Sequence, residues 1–223
     1  MKEHPILFSA PMVRAILEGR KTQTRRIIKP QAIGMLEFSD KRGLKLWVRE
    51  AWRIGSWRED GRIAVDYCDG PRREWLQMPV DTDEQKCAYW RYIKQCNDDC
   101  AGLPQINGQW KWEPGKSPCR WRPSIHMPRW ASRITLEITN IRVERLQEIT
   151  EEDAWLEGCE KGIPTDNGGF FPKEQQINEH SSIGWDCARD WFIDFWDSIN
   201  KKYPWQSNPW VWVIEFRRVG VGV

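Results

Sequence analysis

The sequence contains no apolar run of about 18 residues or more, so no transmembrane helix is expected. Its opening, Met1 to Pro11, breaks into proline and polar residues before a signal-peptide core can form, and a cytoplasmic protein is the expectation. It has no glycine-rich phosphate loop, no HExxH, no GxSxG and no paired CxxC. Those absences argue against P-loop nucleotide hydrolysis, zincin chemistry and the serine-hydrolase elbow. Histidine is scarce: the 3 present are His4, His126 and His180. A histidine-based triad would rest on His126 alone, and a structural or ligand-contacting role fits that residue better. Cysteine does not frame a scaffold, because 7 thiols are an odd number without regular spacing. Cys96 and Cys100 have zinc-like spacing, but Cys87 and Cys119 are spread apart, so no metal and no cofactor is expected.

Tryptophan, by contrast, is abundant. The chain has 16 in 223 residues. Such rings either fill a core or form stacking platforms for bases and sugars. A hydrophobic fraction of 40% with 30% charged residues describes a globular chain with a real core. Net charge is only +2, yet the cations are clustered. Arg20 to Lys29 holds 5 basic residues and no acid, and Gly115 to Arg133 holds 5 more plus His126. The second stretch is interleaved with Trp121 and Trp130, which suits an anionic or base-bearing ligand.

Ile6-Leu7-Phe8 reads as a short strand. Ser9 and Pro11 then open a helix with Met12, Val13, Ile16 and Leu17 on one face, stopped at Gly19. A turn at Asp40-Lys41-Arg42-Gly43 precedes a strand in which Leu44, Leu46 and Val48 alternate with polar residues and Trp47. Arg62 to Tyr67 and Ile134 to Val143 read as further strands. Residues 69–118 read as an irregular Trp/Cys-rich insertion with one short helix near Lys86 to Gln95. Thr150 caps a helix with acids in its first turn, closed at Gly158. Ala188, Trp191, Phe192, Phe195, Trp196 and Ile199 mark an amphipathic helix, and Trp210 to Phe216 a last strand. The fold class expected is α+β, a small β-barrel with helices packed at its ends.

The segment Lys21-Thr22-Gln23-Thr24-Arg25-Arg26 follows the helix stop, where a turning backbone would bring Lys21 and Thr24 onto one cavity. A threonine hydroxyl attacks a carbonyl only when a base takes its proton. Lysine is that base only when neutral, and its ordinary pKa is about 10.4. Burial and the crowd of Arg20, Arg25 and Arg26 would lower it. Glu157, in the last turn before Gly158, is a second proton-handling candidate. The residues alone favour a phosphate-contacting patch and a helix-end glutamate over a catalytic set.

Ile16-Leu17-Glu18-Gly19-Arg20-Lys21-Thr22-x-Thr24-x-Arg26 resembles the opening of ASCH-domain proteins, which are related to the PUA RNA-binding fold. Leu46-Trp47-Val48-Arg49-Glu50-Ala51-Trp52 is similar to that family's second strand. Ile149-Thr150-Glu151-Glu152-Asp153-Ala154-x-x-Glu157-Gly158 is similar to its acidic helix, and Tyr203-Pro204 with Trp212 to Phe216 to its closing passage. Arg122 to Arg133, with Ser124, His126 and Arg129, looks like the longer phage and prophage members. The resemblance implies one domain over residues 1–223, a PUA-like barrel with an insertion at about 69–118, in a bacterial host cell.

One branch of the family hydrolyses N4-acetylcytidine. Its lysine, threonine and glutamate fall on Lys21, Thr24 and Glu157. The resemblance then implies an amide hydrolase acting on an acylated cytidine, with Thr24 the nucleophile and Lys21 the base. Arg25, Arg26, Arg49, Glu50, Trp52, Ser124, His126 and Arg129 would contact a nucleoside or RNA. Other branches bind or cleave RNA, so a non-catalytic RNA or DNA binder is the alternative, and the insertion could dock a host protein.

Overall fold

In the computed structural model, the described residues are 3–28, 43–58, 60–70, 73–105, 109–160, 162–164, 169–171 and 185–219. The turn expected at Asp40-Lys41-Arg42, and His180, lie outside them. The chain opens with β1 (Glu3–Leu7), α1 (Ala10–Leu17) and β2 (Gln23–Ile27). Val13 N donates to Ser9 O at 2.9 Å, so the helix begins where Ser9 and Pro11 direct it. Next come β3 (Lys45–Arg49), β4 (Trp52–Trp57), β5 (Arg62–Tyr67), β6 (Arg73–Gln77) and α2 (Asp83–Cys100). The rest comprises β7 (Thr135–Arg145), α3 (Glu151–Leu156), β8 (Ile163–Pro164), β9 (Phe170–Phe171), α4 (Ala188–Ile199) and β10 (Trp210–Val219).

The class is α+β, as expected, but the sheets are open. One runs β1-β3-β7-β10-β2, a second β4-β5-β6, and β8-β9 forms a two-stranded ribbon. A barrel closes only when its outermost strands tilt and stagger enough to pair. Here β1 and β2 are the two ends of the five-stranded order, and no barrel closes among the described residues.

Two compact units emerge. Unit 1 takes the described residues of 14–45 and 136–219, and unit 2 those of 3–13 and 46–135. In unit 1, β2 pairs antiparallel with β10, Thr24 opposite Ile214 and Arg25 opposite Val213. Its core gathers Leu146, Ala154, Phe192, Trp196, Val211 and Val213. Phe192 and Trp196 are one helical turn apart on α4, which is why the apolar stripe was readable. Full burial of a ring such as Phe192 contributes about 1.5–3 kcal/mol. The carboxylate of Glu151 accepts from Ala188 N at 2.7 Å and Arg189 N at 3.0 Å, capping the positive end of α4.

Unit 2 corrects the expectation of an irregular insertion. Residues 69–118 contain β6 and the 18-residue α2. Thr82 and Gln85 form a capping box at the start of α2. Tyr89, Ile93, Cys96 and Cys100 recur on one face of α2 and join Trp52, Ile54, Ile63, Val65 and Tyr67 in one core. The pairing of β4 with β5 shifts register between Ile54 and Ser56. A Cβ on Gly55 would stand 2.2 Å from Asp66 Oδ1, so the bulge requires glycine. No helix among the described residues is long and apolar enough to cross a membrane.

Candidate functional site

Lys21 is placed by three backbone bonds. Its own N donates to Ala15 O at 3.0 Å, Thr22 N to Leu156 O at 3.0 Å, and Phe216 N to Thr22 O at 2.8 Å. The segment therefore runs extended from the helix stop into β2, not around a turn. Lys21 and Glu157 face each other in an isolated antiparallel bridge. Gly158 makes that approach possible. Its φ is +104°, and a Cβ there would lie 3.0 Å from Ala15 Cβ and 3.1 Å from Lys21 Cβ.

The Lys21 side chain is 1% exposed and Glu157 2%. Nζ donates to Glu157 Oε2 at 2.6 Å and to Glu157 O at 2.7 Å. Arg25 holds the other carboxylate oxygen, Nη1 to Oε1 at 3.2 Å. Its guanidinium is fully buried and also bonds Asp153 Oδ2 at 2.9 Å and Glu144 Oε1 from Nε at 3.1 Å. Arg142 continues the network, donating to Asp153 at 3.0 Å and Glu144 at 3.0 Å and pairing with Glu215.

Burial lowers the pKa of Lys21, because an ammonium loses water there. The charge and hydrogen bond of Glu157 oppose that, while Arg26 and Arg25 add to it, and the net direction is down. Arg26 is lowered too, first by burial, against the charge of Glu157. For Asp153, burial works upward. A hydrogen bond from Gln23 and the charges of Arg25 and Arg142 outweigh it, and the carboxyl sits below its usual range.

Comparison with protein-family models, with curated proteins and with solved structures finds no match to this chain.

The residues singled out from sequence divide between the units. In unit 1, Lys21, Arg25 and Glu157 converge. Thr24 is buried on β2, and the pleat turns it to the face opposite Gln23 and Arg25. In place of the phosphate contact expected of Arg25, its guanidinium is an internal counter-ion for three carboxylates. Arg26 Nη1 donates to Arg25 O at 3.2 Å.

In unit 2, two expected ligand contacts are structural. Trp52 is 0% exposed, edge-on to Trp130 at 5.7 Å, so its ring offers no stacking face. Glu50 is held by Arg133 at 3.0 Å and 2.8 Å. Arg49 lies over Trp47 at 4.6 Å and donates to Ile125 O at 3.2 Å. Ser124 and His126 share a short 3-10 turn, with His126 exposed. Arg129 is exposed and paired with Glu3 at 2.6 Å.

The cysteines read as possible ligands are mostly core: Cys96, Cys100 and Cys119 are buried and Cys87 is exposed. The Cys119 thiol is drawn down to about 6, chiefly by its hydrogen bond with Cys96, and Cys100 is pushed up to about 12 by burial. Among the described residues no three His, Cys, Asp or Glu side chains assemble into a metal-holding group.

Sequence reasoning missed Arg142, Glu144 and Glu215. Arg142 and Glu144 lie two apart on β7 and so project from the same face. That alternation was available as a signal.

Proposed function

We propose that the chain is an ASCH-like amide hydrolase that removes the acyl group from N4-acetylcytidine or a similarly acylated base. The observation that carries this reading is the buried Lys21–Glu157 pair. A lysine whose pKa is drawn down by burial releases and accepts a proton more readily than an exposed one. Glu157 and the carboxylates around Arg25 hold it in place.

In this reading Thr24 Oγ attacks the amide carbonyl as its proton passes to Lys21, directly or through one water. The tetrahedral intermediate collapses, the C–N bond breaks, and the Lys21 proton goes to the departing exocyclic amine. Water then hydrolyses the acyl-Thr24 ester and restores the hydroxyl. Because Thr24 lies on the opposite face of β2 from Arg25, substrate binding must bring its hydroxyl within reach of Lys21 or of a bridging water.

The test is cytidine release from N4-acetylcytidine, followed by chromatography. Wild type is expected to release cytidine, and Thr24→Ala and Lys21→Met to fall by roughly 10²- to 10⁴-fold. Equal rates for wild type and Thr24→Ala overturn the proposal.

A non-catalytic RNA or DNA binder is the second reading. It is favoured by the exposed Arg129 and His126 and by the mutual neutralisation within the Lys21 network. It predicts no turnover, and RNA affinity that falls steeply between roughly 50 and 200 mM salt.

A further inference from the structure

Unit 2 contains a cleft of about 970 Å³ that the hydrolase reading does not use. That volume matches the roughly 300–1,000 Å³ of ligand pockets. Trp57, Trp75, Trp110 and Trp112 line it, together with Arg58 and Lys111. Trp57, Trp110 and Trp112 are half-buried against the unit 2 core, but burial does not explain Trp75, which is 43% exposed.

The rings are held, not loose. Trp112 Nε1 donates to Gly55 O, and Trp110 Nε1 to Leu103 O at 3.3 Å. Trp57 packs at 6.2 Å from Trp112 and 6.4 Å from Trp110, tilted in both cases. Arg58 lies over Trp75 at 4.5 Å. Pre-set aromatic faces reduce the ordering cost of a flat ligand.

Charge selects among flat ligands. Among the described lining residues, Arg58, Arg73 and Lys111 are cationic, against Asp60 as the one carboxylate. Asp60 is already bonded by Arg62 at 2.7 Å, and Arg73 by Asp66 at 2.9 Å. The charge that the described lining leaves for a ligand is therefore positive. A methylated ammonium would be repelled, and a neutral sugar would not call for cations. A base with a phosphate matches both the rings and the charge.

We propose that this cleft binds single-stranded nucleic acid, its bases stacking on the tryptophans and its phosphates facing Arg58 and Lys111. The site stands on unit 2 alone and does not depend on hydrolysis at Lys21.

The test is fluorescence anisotropy of the full chain with fluorescein-labelled ten-nucleotide oligo-U and oligo-dT. Trp75→Ala is expected to weaken binding by roughly 5- to 150-fold, the range for loss of one stacking ring, with Trp75→Phe recovering most of it. Arg58→Ala and Lys111→Ala should each reduce the log–log salt slope by about 0.7. Trp90→Ala, an exposed tryptophan on α2 outside the cleft, should bind as wild type does. Circular dichroism confirms that each variant folds. The proposal is overturned if wild type binds neither oligonucleotide or binds a duplex of equal length as tightly. It is equally overturned if Trp75→Ala binds unchanged, or if a neutral oligosaccharide or a trimethyl-lysine peptide displaces the oligonucleotide.

Discussion

Each unit buries a charge network around an arginine, and the one in unit 1 adds a lysine. In unit 2, Arg133 bonds Glu50 at 2.8 Å and Asp69 at 2.6 Å and lies 3.9 Å from the Tyr67 ring centroid. Burial pulls its pKa down, but Glu50 and Asp69 pull harder and the net direction is up. In unit 1 the same kind of carboxylate meets Lys21, where burial wins and the direction is down. A delocalised guanidinium stays charged under any ordinary condition, whereas an ammonium can release its proton. Arg133 therefore stays a fixed counter-ion, while Lys21 can exchange a proton.

The largest expected effect breaks the structural side of this comparison. Arg133→Ala leaves Glu50 and Asp69 buried without their cation and should cost about 3–5 kcal/mol in urea unfolding. Lys21→Met should cost less, about 1–3 kcal/mol, because Arg25 still bonds Glu157. A larger loss for Lys21→Met than for Arg133→Ala would reverse the roles assigned to the two networks.

Titration sharpens the contrast through sign. The folded pKa of Lys21 lies below the unfolded value of about 10.4, so the unfolded chain binds more protons between the two. Stability should rise with pH across that window. Glu50 is the opposite case: burial raises its carboxyl above the unfolded value of about 4.3. Its contribution is complete below that value and is lost as pH rises through the folded pKa. Urea midpoints measured against pH should lose the alkaline rise in Lys21→Met and the acid-side fall in Glu50→Gln.

Backbone support for the Lys21 network is a smaller matter. Gly158→Ala meets both a left-handed φ and the Lys21 side chain, and should destabilise by about 1–3 kcal/mol. Thr150→Ala removes the cap that accepts from Asp153 N at 3.1 Å and should cost about 1 kcal/mol by thermal melting. A neutral Gly158→Ala would mean that the Lys21–Glu157 bridge tolerates a wider spacing than its contacts imply.

Local signals were the legible ones. The Thr150 cap, the Gly158 stop and the apolar stripe from Ala188 to Ile199 each depend on neighbours within a turn or two, and each marks a real element. The α2 helix was underread because its buried face uses Cys96 and Cys100 as apolar residues, and cysteines at helical spacing also look like ligands. Its Thr82–Gln85 capping box was the overlooked clue. The Lys21–Glu157 pairing came from family resemblance, since nothing local joins residues so far apart in sequence. Arg25 and Trp52 look in sequence like surface ligand contacts. Only the strand register and the packed core reveal that both are interior. Closure of a barrel was likewise invisible, because it depends on strand tilt and stagger and not on any one strand.

The pairing of β2 with β10 also orders events during synthesis. Residues 23–27 leave the ribosome early, yet their ladder partners are residues 211–215. The chain between them must be made before that edge of the sheet can zip, so β2 lacks its ladder partner until residues 211–215 emerge. The β4-β5-β6 meander draws its ladder from residues 52–77 and can form long before. The β2–β10 edge of unit 1 is thus a late-maturing part of the molecule.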